Sequence, residues 1–166
     1  LFANDGLVNY VLVNLGILDI PYNFLTQPFA AKMVIILALL WRWTGYNMVF
    51  FLSGLQNIEY SVYEAAKIDG ASAIQTFFKI TVPLLKPTIL LTAIMSTNGT
   101  LQLFDESINL TDGGPANASI SMSHYIYNLC FKYVPNFGYA AAMSFFILLL
   151  VAVLAFIQMR VGDKRD

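Results

Sequence analysis

Three apolar runs, each long enough to cross a hydrocarbon layer, alternate with mixed polar stretches along the chain. Residues 30–55, AAKMVIILALLWRWTGYNMVFFLSGL, form the first, since about 20 predominantly apolar residues suffice for a membrane-crossing helix. Residues 87–108, PTILLTAIMSTNGTLQLFDESI, form the second, and Pro87 suits a first helical turn, where its missing N–H costs nothing. Residues 137–159, FGYAAAMSFFILLLVAVLAFIQM, form the third. Gly138, Ala140, Ala141 and Ala142 at its start are small enough for close helix packing. The opening 29 residues read differently. Asn4-Asp5-Gly6 starts a helical pattern carrying Leu7, Tyr10, Val11, Leu15 and Leu18, which Gly16, Pro21 and Pro28 interrupt. That pattern predicts a helix lying at the membrane surface. Residues 120–134, ISMSHYIYNLCFKYV, predict a second short amphipathic helix ending before Pro135, after a turn at Thr111-Asp-Gly-Gly-Pro115.

The long polar-containing insert between the first two runs, Ile58–Pro87, has its own punctuation. Ser61-x-x-Glu64 and Ser72-x-x-Gln75 both match the capping box, in which a serine hydroxyl and a Glu or Gln side chain satisfy each other's orphan N–H groups. Each predicts a helix start, with Asp69-Gly70 as the break between them, because glycine enters the left-handed conformation at low cost. The second helix would align Ile74, Phe77, Phe78 and Thr81, end at Pro83, and hand over to the next span at Pro87. Two short helices folded back beneath the membrane result. Taken alone, a helix–turn–helix of this kind is equally a structural loop.

Composition agrees with the pattern. The chain of 166 residues is 58% hydrophobic and 11% charged, against about a quarter charged in soluble domains, so it is an integral membrane protein. A single cysteine, Cys130, excludes an internal disulfide and a cysteine zinc site. One histidine, His124, makes no metal cluster, and the net charge of −1 gives no footprint for nucleic acid. His124 and Cys130 read as packing residues.

Charge also orients the chain. Lys67, Lys79 and Lys86 lie in the insert, balanced by Glu59, Glu64 and Asp69, and Arg160, Lys164 and Arg165 lie in the tail. Lys132 is on the other side, and Lys32 sits near a span's edge. Basic residues favour the cytoplasmic side, and three spans put insert and tail on one face, so both are expected there.

Inside the spans, Arg42 between Trp41 and Trp43 and the polar set Ser96, Thr97, Asn98, Thr100, Gln102, Asp105 and Glu106 do not suit lipid. Such side chains belong against other helices or a cavity, which leaves helix packing and a solute path both open.

The order Glu64-Ala65-Ala66-x-x-x-Gly70, nine residues, then Ile80-x-Val82-Pro83 resembles the cytoplasmic EAA loop of permease subunits in binding-protein-dependent ABC importers. The resemblance extends to Tyr63–Ser72, to Trp41 with Gly45-Tyr46, to Thr111–Pro115, to Tyr125-Ile-Tyr127 and to Phe137–Ala142. Together these look like the sugar-type branch, which imports oligosaccharides and glycerol phosphate. Val82 stands where that pattern usually has Leu, and Glu59 where it often has Pro.

The resemblance implies an all-α integral membrane fold with three spans, interfacial helices and a cytoplasmic coupling helix within residues 56–86. It belongs to a type-1 ABC permease fold of six or more spans, of which residues 1–166 would be the C-terminal part, as the first residue Leu1 also suggests. It implies a multi-pass protein of the bacterial inner membrane that does no chemistry and needs no cofactor, ATP being bound by a partner. The implied partners are ABC ATPase subunits, a second permease subunit, a periplasmic or lipid-anchored solute-binding protein and membrane lipid.

By the same resemblance Glu64, Ala65, Ala66, Asp69, Gly70, Ile80 and Pro83 couple to the ATPase. Glu64 would contact it, the alanines permit close approach, Gly70 makes the turn, and Ile80 and Pro83 set the second helix. Candidates on a solute path are Trp41, Arg42, Tyr46 and Asn47 on the first span and Asn98, Thr100 and Gln102 on the second. Their aromatic, amide and hydroxyl groups suit a sugar or polyol, while Arg42 would suit an anionic solute such as a phosphate ester. Two rival classes are a non-transporting structural membrane subunit and an intramembrane enzyme, the latter needing a partner for His124.

Overall fold

The computed structural model describes residues 1–162, and every regular element in them is helical. A helix pairs its own backbone groups, which is what a chain without water to bond to requires. In order, α1 spans Leu7–Asn14, α2 Pro28–Gln56, α3 Tyr60–Ile68, α4 Ala73–Thr76, α5 Val82–Leu84, α6 Lys86–Leu101, α7 Met122–Tyr127 and α8 Phe137–Gly162. Three π turns, in which the helix widens by one residue, occupy Phe77–Thr81, Ser107–Thr111 and Asn128–Lys132. Lys164 and Arg165, counted above in the basic tail, lie outside the described residues.

Helices α2 and α8, of 29 and 26 residues, are each long and apolar enough to span. The middle run departs from expectation. Helix α6 stops at Leu101 rather than continuing to 108, and it reaches spanning length only together with Ala73–Leu84, from which it is bent by 65°. The sequence beyond Leu101 is too polar to go on as a lipid-facing helix. Instead the chain turns with Leu103 N–H on the Thr100 carbonyl (3.3 Å). The helix over 120–134 likewise shortens to α7 plus a π turn, capped by Ser121, whose hydroxyl accepts from His124 N–H.

By packing, the chain divides into two compact units. One comprises Leu1–Trp41 and Thr100–Leu149. Its opening segment is held by Asn9, which is 1% exposed. The Asn9 amide donates to the Ala3 and Tyr22 carbonyls (3.0 and 2.9 Å) and accepts from Tyr22 N–H (2.8 Å). A buried amide used on both ends costs little desolvation. Phe24 then packs edge-on against Phe2 and Tyr22. An apolar recess of about 550 Å³ opens beside Leu1, Phe2, Leu37, Trp41 and Leu110.

The other unit comprises Arg42–Gly99 and the chain from Leu150 onward. Here polar side chains inside the spans pair with one another. Asn47 donates to Ser96 Oγ (3.0 Å), and Ser96 returns a bond to Asn47 Oδ1 (3.3 Å). Gln158 donates to Thr97 Oγ1 (2.8 Å), tying α8 to α6. Such bonds contribute about 0.6–2 kcal/mol each between helices in lipid. Thr92 satisfies its hydroxyl on the carbonyls of Thr88 and Ile89 one turn back.

Close approach does the rest. A side-chain carbon added at Gly99 would overlap the Trp43 ring, and one at Gly54 would stand 2.9 Å from both Leu85 Cδ2 and Thr88 Oγ1. Large apolar residues of α8 such as Phe145, Leu149 and Phe156 stay more than half exposed, as a helix facing lipid or further helices would.

Replacing Gly99 by alanine should therefore overpack the α2–α6 contact and lower stability by about 1–3 kcal/mol. Thermal unfolding of the detergent-solubilised protein measures it, and combining Gly99→Ala with Trp43→Phe should recover part of the loss.

Candidate functional site

The insert between α2 and α6 contains the predicted coupling residues. Helix α3 begins one residue after Glu59, which precedes it in extended conformation without a side-chain cap. Ser61 lies inside the first turn, its hydroxyl on Glu59 Oε2 (3.3 Å). The capping box expected at Ser61 and Glu64 is therefore absent, because the helix starts too early for it. The one at Ser72 is present: Gln75 N–H donates to Ser72 Oγ (3.3 Å), and Ser72 N–H to Gln75 Oε1 (2.9 Å).

The end of α3 follows the Schellman pattern. Ala71 N–H bonds to the Ala66 carbonyl (3.0 Å) and Gly70 N–H to the Lys67 carbonyl (3.2 Å). This closure puts Gly70 at φ +75°, in the left-handed region. Nothing lies within 4 Å of where a Cβ on Gly70 would be. Within this chain, glycine is required there by conformation and not by space.

Helix α3 is two-sided. Tyr60, Glu64 and Ile68, four residues apart, form an exposed stripe, with Tyr60 75% and Ile68 85% exposed. Tyr63 and Ala66 turn inward, Ala66 being buried. Ala65, Asp69 and Pro83 are exposed, and Ile80 is half-buried. Pro83 does not end the following helix. It sits in α5, near a helix start where a missing N–H is tolerated, and the break comes at Leu85. The aligned side expected from Ile74, Phe77, Phe78 and Thr81 also separates, since the first three are exposed and Thr81 is buried. Glu64 and Asp69 gain no metal-binding neighbour, for the described residues contain no cluster of three potential ligands.

The candidate solute-path residues are distributed over both units. Trp41, Thr100 and Gln102 belong to the first unit and Arg42, Tyr46, Asn47 and Asn98 to the second. The Asn47 amide is engaged by Ser96. Arg42 holds its guanidinium carbon 5.5 Å from the Trp43 ring centroid, a cation–π contact. Tyr46 packs edge-on against Trp43 and tilted against Phe50. Helix packing thus occupies several of these groups.

A polar centre that the sequence concealed surrounds His124, which is fully buried. Its partners are Ser107 and Asp112, so the histidine does not lack them as the sequence suggested. Ser107 Oγ donates to the Ser119 carbonyl (2.8 Å) and accepts from Ser121 N–H (3.2 Å). The same hydroxyl lies 2.9 Å from His124 Nδ1. The other ring nitrogen, Nε2, faces Asp112 Oδ1 at 3.6 Å.

Lys132 holds both oxygens of Asp112 at 3.0 Å. The Lys132 hydrogen bond, with its charge behind it, keeps the Asp112 carboxyl below the usual carboxylate range. Burial pushes the His124 imidazole below its ordinary value, against the attraction of Asp112. Ser107 is buried and its hydroxyl is shared between the Ser119 carbonyl and the His124 ring.

Residues 7–165 match the family described as the inner membrane component of binding-protein-dependent transport systems. The chain belongs to that family. The chain is 54% identical over 167 aligned residues to the lactose transport system permease protein LacF of Rhizobium radiobacter, covering 99% of this chain and 56% of that protein. It is 37% identical over 160 residues to the trehalose/maltose permease protein MalF of Thermococcus litoralis, covering 96% and 53%. Among solved structures, a bacterial ABC transporter that imports the acidic polysaccharide alginate superposes with a TM-score of 0.81 at 26% identity, over 95% of this chain and 54% of that one. The chain thus spans about half the length of the relatives it matches.

The His124 centre predicts an acid sensitivity with a definite sign. A histidine whose folded pKa is depressed binds fewer protons folded than unfolded between the two values. Its contribution is complete above the unfolded value of about 6.5 and is lost as the pH falls below it. Asp112, also depressed, loses its contribution only at much lower pH, below the ordinary carboxylate value. The thermal midpoint of the solubilised protein should fall between pH 7.5 and 5.5. In His124→Asn, which retains a donor toward Ser107, that fall should shrink; an equal fall in both proteins would exclude His124 as its source.

Proposed function

We propose that this permease is part of the membrane-spanning subunit of an ATP-driven importer for a sugar, with a di- or oligosaccharide as the solute class. The observation that carries this reading is the 54% identity to a lactose permease across 99% of the chain. The relation to a transporter whose structure was solved with an alginate pentasaccharide-bound periplasmic protein supports a solute-binding protein as a partner. A second permease subunit and two ATPase subunits complete the assembly, and ATP is bound by those partners. The spans α2 and α8, with the bent α6 between them, contact membrane lipid.

The insert is the face that meets the ATPase, on the cytoplasmic side with the C-terminus. Its lysines support that side. Its exposed stripe of Tyr60, Glu64 and Ile68 supports docking, because an isolated apolar and acidic ridge on a short helix is what a groove can take. Asp69 and Gly70 close the helix so that this ridge ends abruptly, Ala65 keeps its flank low, and Ile80 and Pro83 lead toward α6. The solute path runs past residues of α2 and α6, with Tyr46 and Asn47 on the first and Asn98 on the second among its candidates. Arg42, already set against an aromatic ring, gives no separate support to an anionic solute.

Gly70 tests the docking. In the assembled transporter, Gly70→Val forces a β-branched residue into the left-handed region, at a cost of about 1–2 kcal/mol or more. It should abolish uptake and co-purification of the ATPase. Gly70→Asn tolerates that conformation, so its retention of both would assign the requirement to backbone geometry. Normal uptake with Gly70→Val would overturn the docking role. For the solute class, labelled lactose-type disaccharide uptake by reconstituted transporter with its binding protein should be competed by oligosaccharides and not by glycerol phosphate.

A further inference from the structure

If α3 is where the ATPase pushes, something must make the spans follow it. The covalent route from α3 to α6 is poorly suited. It passes through a left-handed glycine, the mostly exposed residues Ala71–Gln75, a π turn at Phe77–Thr81 and a 65° bend. Each is a place where movement can be absorbed before it reaches the membrane.

A side-chain bond bypasses most of that route. On the inward side of α3, the Tyr63 hydroxyl lies 3.3 Å from Thr81 Oγ1. Thr81 is 6% exposed and is the last residue of the π turn. Its hydroxyl donates to the Thr76 carbonyl, five residues back (3.5 Å). With that proton used, Tyr63 is the donor to Thr81. The bond therefore fastens α3 to the widened turn itself. Three residues after Thr81 the helix breaks, and α6 begins at Lys86. Helix α6 is in turn bonded to α2 through Ser96 and Asn47 and to α8 through Thr97 and Gln158. The tie thus leaves the bend at Leu85, whose side chain is buried, as the one joint between α3 and the bonded spans. π turns recur at functional positions because the extra residue makes an adjustable joint. A tie at the joint's end decides whether that joint yields or transmits.

We propose that the Tyr63–Thr81 hydrogen bond is the tie that makes α6 follow α3, so that Tyr63 and Thr81 are positioning residues coupling ATP hydrolysis to solute movement. This rests on the docking reading above.

The test uses the complete transporter, reconstituted in liposomes with its binding protein, with ATP hydrolysis and sugar uptake measured on the same preparation. Tyr63→Phe removes one oxygen, and Thr81→Val replaces the hydroxyl at constant shape. Both should leave hydrolysis within about twofold while lowering sugar moved per ATP by about fivefold, the scale set by losing one hydrogen bond. Thr81→Ser, which keeps the hydroxyl, should retain the normal ratio. The double variant Tyr63→Phe/Thr81→Val should fall no further than either alone, as partners in one bond do.

An unchanged ratio in Tyr63→Phe, or additive losses in the double variant, overturns the tie. Should Thr81→Val not assemble, the ratio in Tyr63→Phe decides alone. Gly70→Val separates the two levels. If it releases the ATPase while Tyr63→Phe keeps a normal ratio, docking stands and the tie falls. If it leaves ATPase binding and uptake normal, the docking reading falls and the tie with it.

Discussion

A helix already in lipid gains nothing by hiding a leucine, because hydrocarbon is as apolar as the protein interior. What fixes one span against another must come from close contact and from polar groups that lipid cannot satisfy. In this chain that constraint selects a handful of positions. Gly99 admits the Trp43 ring, Gly54 admits Leu85 and Thr88, and the Asn47–Ser96 and Gln158–Thr97 bonds set the register of α6 between α2 and α8. The long apolar faces of α8 contribute length and partition, while the few small and polar residues specify who touches whom.

The polar residues beyond Leu101 obey the same constraint in the opposite way. They do not continue the span; they leave it. Ser107, Ser119, Ser121 and His124 form a compact hydrogen-bonded centre, with Thr111 and Ser119 bonded hydroxyl to hydroxyl (2.7 Å). Asp112 stands at the edge with its charge held by Lys132. Satisfying buried hydroxyls against loop carbonyls rigidifies a segment that has little apolar mass of its own. The buried ring of His124 makes that order depend on pH near neutrality, and Asp112 does so only at much lower pH.

The two long spans could be read from composition and run length, and the family from the motif around Glu64–Gly70 and the shorter motifs that accompany it. Turn chemistry was half legible. Ser72 and Gln75 form the capping box their spacing suggests, whereas Ser61 and Glu64 share the spacing without forming it, because the chain enters α3 two residues earlier. The end of α6 was misplaced because an apolar average over 87–108 hides a sharp change of character after Leu101. The His124 centre was invisible for another reason. Ser107, Asp112, His124 and Lys132 are up to 25 residues apart, on a π turn, a left-handed residue and a short helix, and no periodicity marks such a meeting. The solute-path candidates were chosen by residue type, which does not encode the contacts that Asn47 makes with Ser96 or Tyr46 with Trp43 and Phe50.

Gly70 and Tyr63 together show why the insert needs both a loose and a tight element. A docking helix must be able to meet its groove without the spans dictating its angle, which favours a closure made by backbone hydrogen bonds around one left-handed glycine. Yet a helix attached only by that closure would turn freely and transmit nothing. Thr81, buried and bonded on both sides, gives it a second point of attachment. Two attachments convert a pivot into a lever: the glycine end sets where α3 rotates, and the tyrosine fixes which part of the following helix moves with it. On this view the identity of residue 63 matters for its oxygen more than for its ring, a distinction that neither hydropathy nor helical spacing encodes.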